Sequence, residues 1–216
     1  MSVGENLKKI QTYTSNARII AVVKYVTAEK VIEAYKIGIR DFGENKVQDA
    51  ENKRAELPEE VEKNSMWHFL GHLQTNKVKK VVGIFDFIHS VDSLKLAKAI
   101  SECAASQNLI QKVFIQVNIA KEESKFGFSP EEIEENFSEI SKLDSIDIVG
   151  LMTMAPFTSD LEEQRTAFRG LRELRNRLQN KFNAQLKELS MGMSNDYKIA
   201  VEEGATMVRI GQALFI

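Results

Sequence analysis

The sequence predicts an α/β protein folded as a single (β/α)8 barrel of the TIM type, preceded by an extra N-terminal helix. Three observations carry this expectation. Short apolar runs without polar alternation, such as Arg18-Ile19-Ile20-Ala21-Val22-Val23-Lys24, read as strands buried on both faces, as in a parallel sheet covered by helices. Eight such runs alternate with amphipathic stretches at βαβ spacing, which favours closure over an open sheet. The three prolines, Pro58, Pro130 and Pro156, all fall at helix edges or in loops of this segmentation.

Taken in order, residues 5–16 form a helix with Leu7 and Ile10 on one side, packed outside the core. The first strand ends at Lys24. Thr27 caps a helix that buries Ala28, Val31, Ile32 and Tyr35 and stops at Gly38. Residues 39–43 make a short strand, and a charged helix then runs to about Leu57, where Pro58 ends it. The third unit pairs strand 66–70 with a helix at 78–82; the fourth pairs strand 85–91 with helix 93–106. Strand 112–118 leads through a glycine-bearing loop to Ser129-Pro130-Glu131-Glu132. That tetrapeptide combines a serine cap, proline at the first helical position and glutamate three residues after the cap. Strand 146–152 and a long helix from Ser159 to about Asn180 form the sixth unit. Strand 187–190, helix 197–203 ending at Gly204, and strand 207–211 complete the barrel.

Composition narrows the function classes. With 43% hydrophobic and 28% charged residues, the chain supports one sizeable core, so residues 1–216 are expected to be one domain. Lys+Arg 29 against Asp+Glu 31 leaves a net charge of -2, and no global basic field argues for nucleic acid. The single Cys103 excludes an intramolecular disulfide and a cysteine-rich zinc site, which suits a reducing compartment. No leader pattern and no bilayer-length apolar run occur, so a cytoplasmic location without membrane partners is expected.

Barrel closure would gather Lys24, Asn45, His68, Ser90, Asn118, Met152, Ser190 and Arg209 at the C-terminal ends of the strands, where such barrels carry their sites. A desolvated lysine there can form a Schiff base. Ser190-Met191-Gly192-Met193-Ser194-Asn195-Asp196 places small residues before a helix N-terminus, whose free amides favour an anion. The alternative is that Ser194 or Asn195 caps that helix. Arg209-Ile210-Gly211-Gln212 adds a close-approach glycine after the eighth strand, and the region after strands seven and eight recurrently binds phosphate. Buried Arg209 needs an acceptor, either a carboxylate such as Asp41 or a heteroaromatic nitrogen. His68, His72 and His89 lack a metal-binding pattern, so hydrogen bonding and no metal are expected.

Lys24, Gly43-Glu44-Asn45, Trp67-His68-Phe69-Leu70-Gly71-His72-Leu73-Gln74-Thr75-Asn76-Lys77, Gly150-Leu151-Met152, the 190–196 loop and Arg209-Ile210-Gly211 together resemble the pyridoxal phosphate homeostasis proteins across nearly the whole chain. The resemblance implies a barrel like the N-terminal domain of alanine racemase, with pyridoxal 5'-phosphate as cofactor in Schiff-base linkage to Lys24. It implies that Ser194, Gly211 and Gln212 hold the phosphate, with Ser190 in the same loop motif. Arg209 would face the pyridine nitrogen, Asn45 and Met152 would flank the ring, and His68 would lie near them. The implied role is a carrier and regulator of pyridoxal phosphate and of amino- and keto-acid balance, without established catalysis. Transient contact with pyridoxal-phosphate-dependent apoenzymes is implied too. A low-activity amino-acid racemase is the alternative, disfavoured because the chain ends at Ile216 without a second domain to supply an opposing acid/base. A cofactor-free scaffold is a third reading, and a monomer is expected. Val23 and Tyr25 depart from the serine and threonine that commonly flank the lysine, and the sequence stops sooner after strand eight than in relatives.

Overall fold

In the computed structural model, which describes residues 2–14, 16–122 and 125–216, the apolar runs become eight parallel strands that pair in chain order. Strand one returns to strand eight, so no edge is left open. The strands are β1 (Arg18–Val22), β2 (Asp41–Glu44), β3 (Met66–Phe69), β4 (Phe87–Val91), β5 (Gln111–Gln116), β6 (Ile146–Met152), β7 (Glu188–Met193) and β8 (Met207–Ile210). Parallel neighbours need a crossover after each strand. These are α2 (Ala28–Lys36), α3 (Val47–Ala55) with α4 (Glu59–Lys63), α5 (Leu94–Ser106), α6 (Pro130–Ile140), α7 (Leu161–Phe182) and α8 (Tyr197–Glu202), with a 3-10 segment (Thr75–Lys80) between β3 and β4. Helix α1 (Val3–Gln11) precedes the barrel and α9 (Gln212–Phe215) follows β8. The predicted barrel with an added N-terminal helix is the fold found.

Local chemistry accounts for the boundaries. At α6, Ser129 Oγ accepts from the Glu132 amide at 3.1 Å while the Ser129 amide donates to the Glu132 carboxylate at 2.7 Å, closing a reciprocal cap with Pro130 first in the helix. Asp160 caps α7, accepting from the Glu162 amide at 2.9 Å. Other expectations need correction. Pro58 ends the region of α3 but also sits at the start of α4, which the charged sequence Glu59-Glu60-Val61-Glu62-Lys63 conceals because only Val61 is buried. The crossover expected as a helix at 78–82 is an earlier 3-10 segment, also with one buried residue, Val78. Helix α1 stops at Gln11 and does not lie outside the core: Val3, Leu7 and Ile10 join the apolar layer between barrel and helices, and Asn6 Nδ2 donates to the Leu214 carbonyl of α9 at 3.1 Å.

Two apolar layers result. The larger lies between strands and helices; the smaller, Ile20, Phe87, Phe114, Met152 and Met207 from five different strands, fills the barrel interior. Three strands carry one residue more than their neighbour over the paired stretch. Between Ile88 and Val91 of β4 the partner strand advances from Val113 to Ile115; β6 advances from Ile148 to Gly150 opposite Val113 and Phe114; β7 advances from Ser190 to Met193 opposite Met207 and Arg209. Outside, Arg165, Arg169 and Arg172, on one face of α7, converge on the Glu203 carboxylate at 3.1, 3.2 and 2.9 Å. This clasp fixes α8 and the β7 loop that leads into it.

Ser129→Ala removes the cap of α6 while leaving barrel contacts intact, and should lower unfolding stability by about 1 kcal/mol, read as a smaller urea midpoint with unchanged slope.

Candidate functional site

The C-terminal mouth is built strand by strand. Lys24 stands just beyond β1, exposed, with Nζ 5.0 Å from the Tyr25 ring centroid. Its predecessor Val23 is fully buried: the Val23 amide donates to the Gly43 carbonyl at 2.9 Å, and its carbonyl accepts from the Lys53 ammonium. The same ammonium pairs with Glu44 Oε1, while Glu44 Oε2 accepts from the Asn45 amide at 3.1 Å. Lys53 and Glu44 are both buried. One ion pair thus ties the backbone before Lys24 to the end of β2 and to Asn45. Gly71 completes the seat, because a Cβ there would lie 2.1 Å from the Asn45 carbonyl oxygen. Val23 therefore replaces the expected hydroxyl neighbour with a buried anchor, and Tyr25 is turned to solvent.

On the other side of β1, the loops after β7 and β8 meet. Ser194 Oγ accepts from the Ala213 amide at 3.2 Å. This corrects the capping alternative: Asp196 occupies the cap position of α8 without a side-chain cap bond, accepting instead from the Met193 amide. Burial pushes the Asp196 carboxyl up. Gly192, at φ +91°, lets the loop lie on α8, where a Cβ would come 2.5 Å from that of Ala200. Gly211 abuts Val22, and a Cβ there would make only ordinary contact at 3.5 Å, so packing does not demand its small size. Gln212 opens α9 and is exposed.

Beneath the mouth lies a buried cation. Arg209 Nη1 donates to Ser190 Oγ at 2.7 Å and Nη2 to the Thr153 carbonyl at 2.9 Å. No carboxylate among the described residues lies within ion-pair distance, and burial pushes the guanidinium down to about 10, opposed by the field of Asp196. The expected carboxylate partner Asp41 is engaged elsewhere, with His68 Nε2 at 3.0 Å and Arg18 at 3.7 Å. Ser190 lies within β7, not at its end. His68 also lies within the barrel, its ring stacked on Phe87 and its Nδ1 2.9 Å from His89 Nε2; His89 Nδ1 is 2.9 Å from Ser190 Oγ. Met152 belongs to the interior apolar cluster. His68, Ser190 and Arg209 are therefore joined in one hydrogen-bonded line, with Lys24 and Asn45 together on a second support and Ser194, Gly211 and Gln212 on a third. Ser90 Oγ is buried without a hydrogen-bond partner, and Asn118 turns its side chain to the carbonyls of Glu122 and Lys125. His72 pairs with Asp92 at 3.1 Å, apart from the other histidines.

The sequence does not mark Lys53 or Thr153. Lys53 lies within a charged helix, where lysines are common; His89 is a polar residue inside the apolar run Phe87-Ile88-His89-Ser90-Val91.

Residues 2–216 match the family model for the alanine racemase N-terminal domain. A pyridoxal phosphate homeostasis protein of Aquifex aeolicus is 44% identical over 200 residues, 92% of this chain and 86% of that protein. One from Pseudomonas aeruginosa is 42% identical over 225 residues, 99% of this chain and 95% of that one. The chain belongs to the pyridoxal phosphate homeostasis proteins of the alanine racemase N-terminal domain family. The structure of family member PipY from Synechococcus elongatus without pyridoxal phosphate superposes at a TM-score of 0.93 with 38% identity, over 100% of both chains. The PipY structure with pyridoxal phosphate bound gives 0.91 and 37%, again over both whole chains. Alanine racemase of Clostridium difficile shares the fold at a TM-score of 0.80 and 18% identity, over 99% of this chain and 56% of that one.

Two outcomes follow from these contacts. Lys53→Met leaves the Glu44 carboxylate buried without its counter-charge, and should cost about 3–5 kcal/mol of stability, measured by urea denaturation. Burial holds His68 and His89 below the usual histidine range. The native state then binds fewer protons than the unfolded chain, so stability is full above the ordinary histidine pKa and falls as pH drops from about 7 towards 5. The urea midpoint should decline across that window, and His89→Phe should flatten the decline.

Proposed function

We propose that this protein binds pyridoxal phosphate at the C-terminal mouth, carries it on Lys24, and serves as a carrier and regulator of that cofactor in the cytoplasm and not as an enzyme. Residues 1–216 act as one binding domain, and the role extends to amino- and keto-acid balance. The observation that supports the reading best is that PipY, alike over its whole length, holds pyridoxal phosphate.

The residues present fit the group. The amine of Lys24 condenses with the cofactor's aldehyde, with loss of water, to a Schiff base. Ser194, Gly211 and Gln212 bind the phosphate from the joined loops after β7 and β8, while Asn45 and Met152 flank the ring, with His68 and Ser190 behind it. Arg209 donates to the pyridine nitrogen: a buried guanidinium with two neutral acceptors and no carboxylate has donor capacity left for an uncharged acceptor. When bound, pyridoxal phosphate supplies an electron sink for carbanions. An arginine donor keeps the ring nitrogen unprotonated and weakens that sink, which suits retention over turnover.

The test is the visible spectrum with added pyridoxal phosphate, before and after borohydride reduction, for the natural sequence and Lys24→Ala. Expected are a cofactor band lost in the variant and a pyridoxyl mass on the Lys24 peptide alone. A colourless protein, or label spread over surface lysines, would overturn the assignment. Exchange of the α-proton of added L-alanine in heavy water should stay at background; exchange dependent on Lys24 would instead establish racemase-like chemistry.

A further inference from the structure

The interior of the barrel holds a line of polar side chains that crosses from one end towards the other. Asp41 opens β2 at the N-terminal end, with its side chain 15% exposed. His68 of β3, His89 of β4 and Ser190 of β7 follow, all fully buried, and Arg209 of β8 ends the line beneath the mouth. Successive contacts measure 3.0, 2.9, 2.9 and 2.7 Å.

The chemistry of the two ends fixes every proton between them. Guanidinium can only donate, so Ser190 Oγ accepts from Arg209 and its own hydrogen is free for His89 Nδ1. His89 then carries its proton on Nε2 and donates to His68 Nδ1. His68 in turn carries its proton on Nε2 and donates to Asp41, whose carboxylate can only accept. All four contacts are satisfied in this one direction, with both imidazoles neutral. Desolvation of both rings favours the same neutral state. The charged groups around them are balanced: Arg18 and Asp86 act on His68 in opposite senses beside Asp41, Arg18 is itself held by Glu188 at 3.0 Å, Lys112 lies over Phe87, and Arg18 and Arg209 oppose a second positive charge on His89.

We infer that Asp41, His68, His89 and Ser190 are positioning residues for Arg209, a one-way hydrogen-bond chain that sets the place and the donor direction of the guanidinium from the far end of the barrel. This rests on the reading above that Arg209 serves the cofactor's ring nitrogen. The chain acts by giving Nη1 a fixed acceptor, leaving the guanidinium's remaining donors aimed away from it. A loss at any link leaves a buried donor or acceptor unsatisfied and frees Arg209 to turn.

The experiment has two arms. In ligand-free protein, ¹⁵N-edited NMR of the imidazoles should find His68 and His89 protonated on Nε2 alone and unchanged between pH 6 and pH 8; a proton on Nδ1 of either ring, or titration in that range, would overturn the chain. In titrations with pyridoxal phosphate, Ser190→Ala and Asp41→Leu should weaken binding by about tenfold or more, as expected for losing support of a charged hydrogen bond. Val113→Ala, which opens a cavity in β5 without touching the line, should stay within about twofold; it controls for general loosening. Correct tautomers with unchanged binding in Ser190→Ala and Asp41→Leu would overturn the positioning role. If the natural sequence takes up no pyridoxal phosphate, the cofactor reading fails and the positioning role with it, while the NMR arm still decides the direction of the chain.

Discussion

Arg209 places a positive charge in the buried interior of the barrel, with no carboxylate among the described residues within ion-pair distance. Burying an ion is costly unless its donors are met, and much of the interior is arranged around meeting them. The Thr153 carbonyl takes one nitrogen and Ser190 another. Ser190 can accept from arginine and still donate, which brings His89 and His68 into the barrel as uncharged links to Asp41. The apolar residues Ile20, Phe87, Phe114, Met152 and Met207 fill what remains. Phe87 and Phe114 stack on the two imidazoles at 4.7 and 4.1 Å, so the same aromatic packing that seals the core also holds the histidine planes.

A different economy governs Lys24. Its side chain is exposed and its position comes from its neighbours' backbones. The Lys53–Glu44 pair binds the Val23 carbonyl and the Asn45 amide at once. Gly71 admits the third loop against Asn45. The amine is exposed while the backbone before it is held by β2 and by Lys53 of α3, the helix that follows β2.

The barrel was legible in the sequence because its strands are buried on both faces and its helices are amphipathic, which are signals of the chain itself. Strand β6 and the start of α6 came out as expected because apolar patterning and cap chemistry agreed there. Helix α4 was missed because one buried valine in five residues makes no pattern. The places of Lys24, Ser194 and Gly211 just beyond β1, β7 and β8 follow from the strand boundaries, while Arg209 lies within β8. Lys53 and Thr153 were not legible, because their partners lie on other strands and only closure brings them together. The sequence offers Asp41 as one acceptor for Arg209, whereas the contacts of Asp41 are His68 and Arg18: sequence identifies a buried charge that needs a partner without saying which of several polar residues is nearest.

The extra residues in β4, β6 and β7 separate the two ends of each strand. On β4, Ile88 and Val91 both join the helix-facing layer although they are an odd number of residues apart, so the inward–outward alternation is reset between them. On β7, Leu189 and Met191 face the helices while Ser190 faces the line of histidines, and the reset follows before Met193. A change of length after Met193, where β7 ends, would then alter the loop bearing Ser194 and leave Ser190 in place. Before Leu189, an insertion of one residue would bring Leu189, and a deletion Met191, to the place of Ser190 against Arg209. The mouth of this barrel thus tolerates a change of loop length that its interior does not.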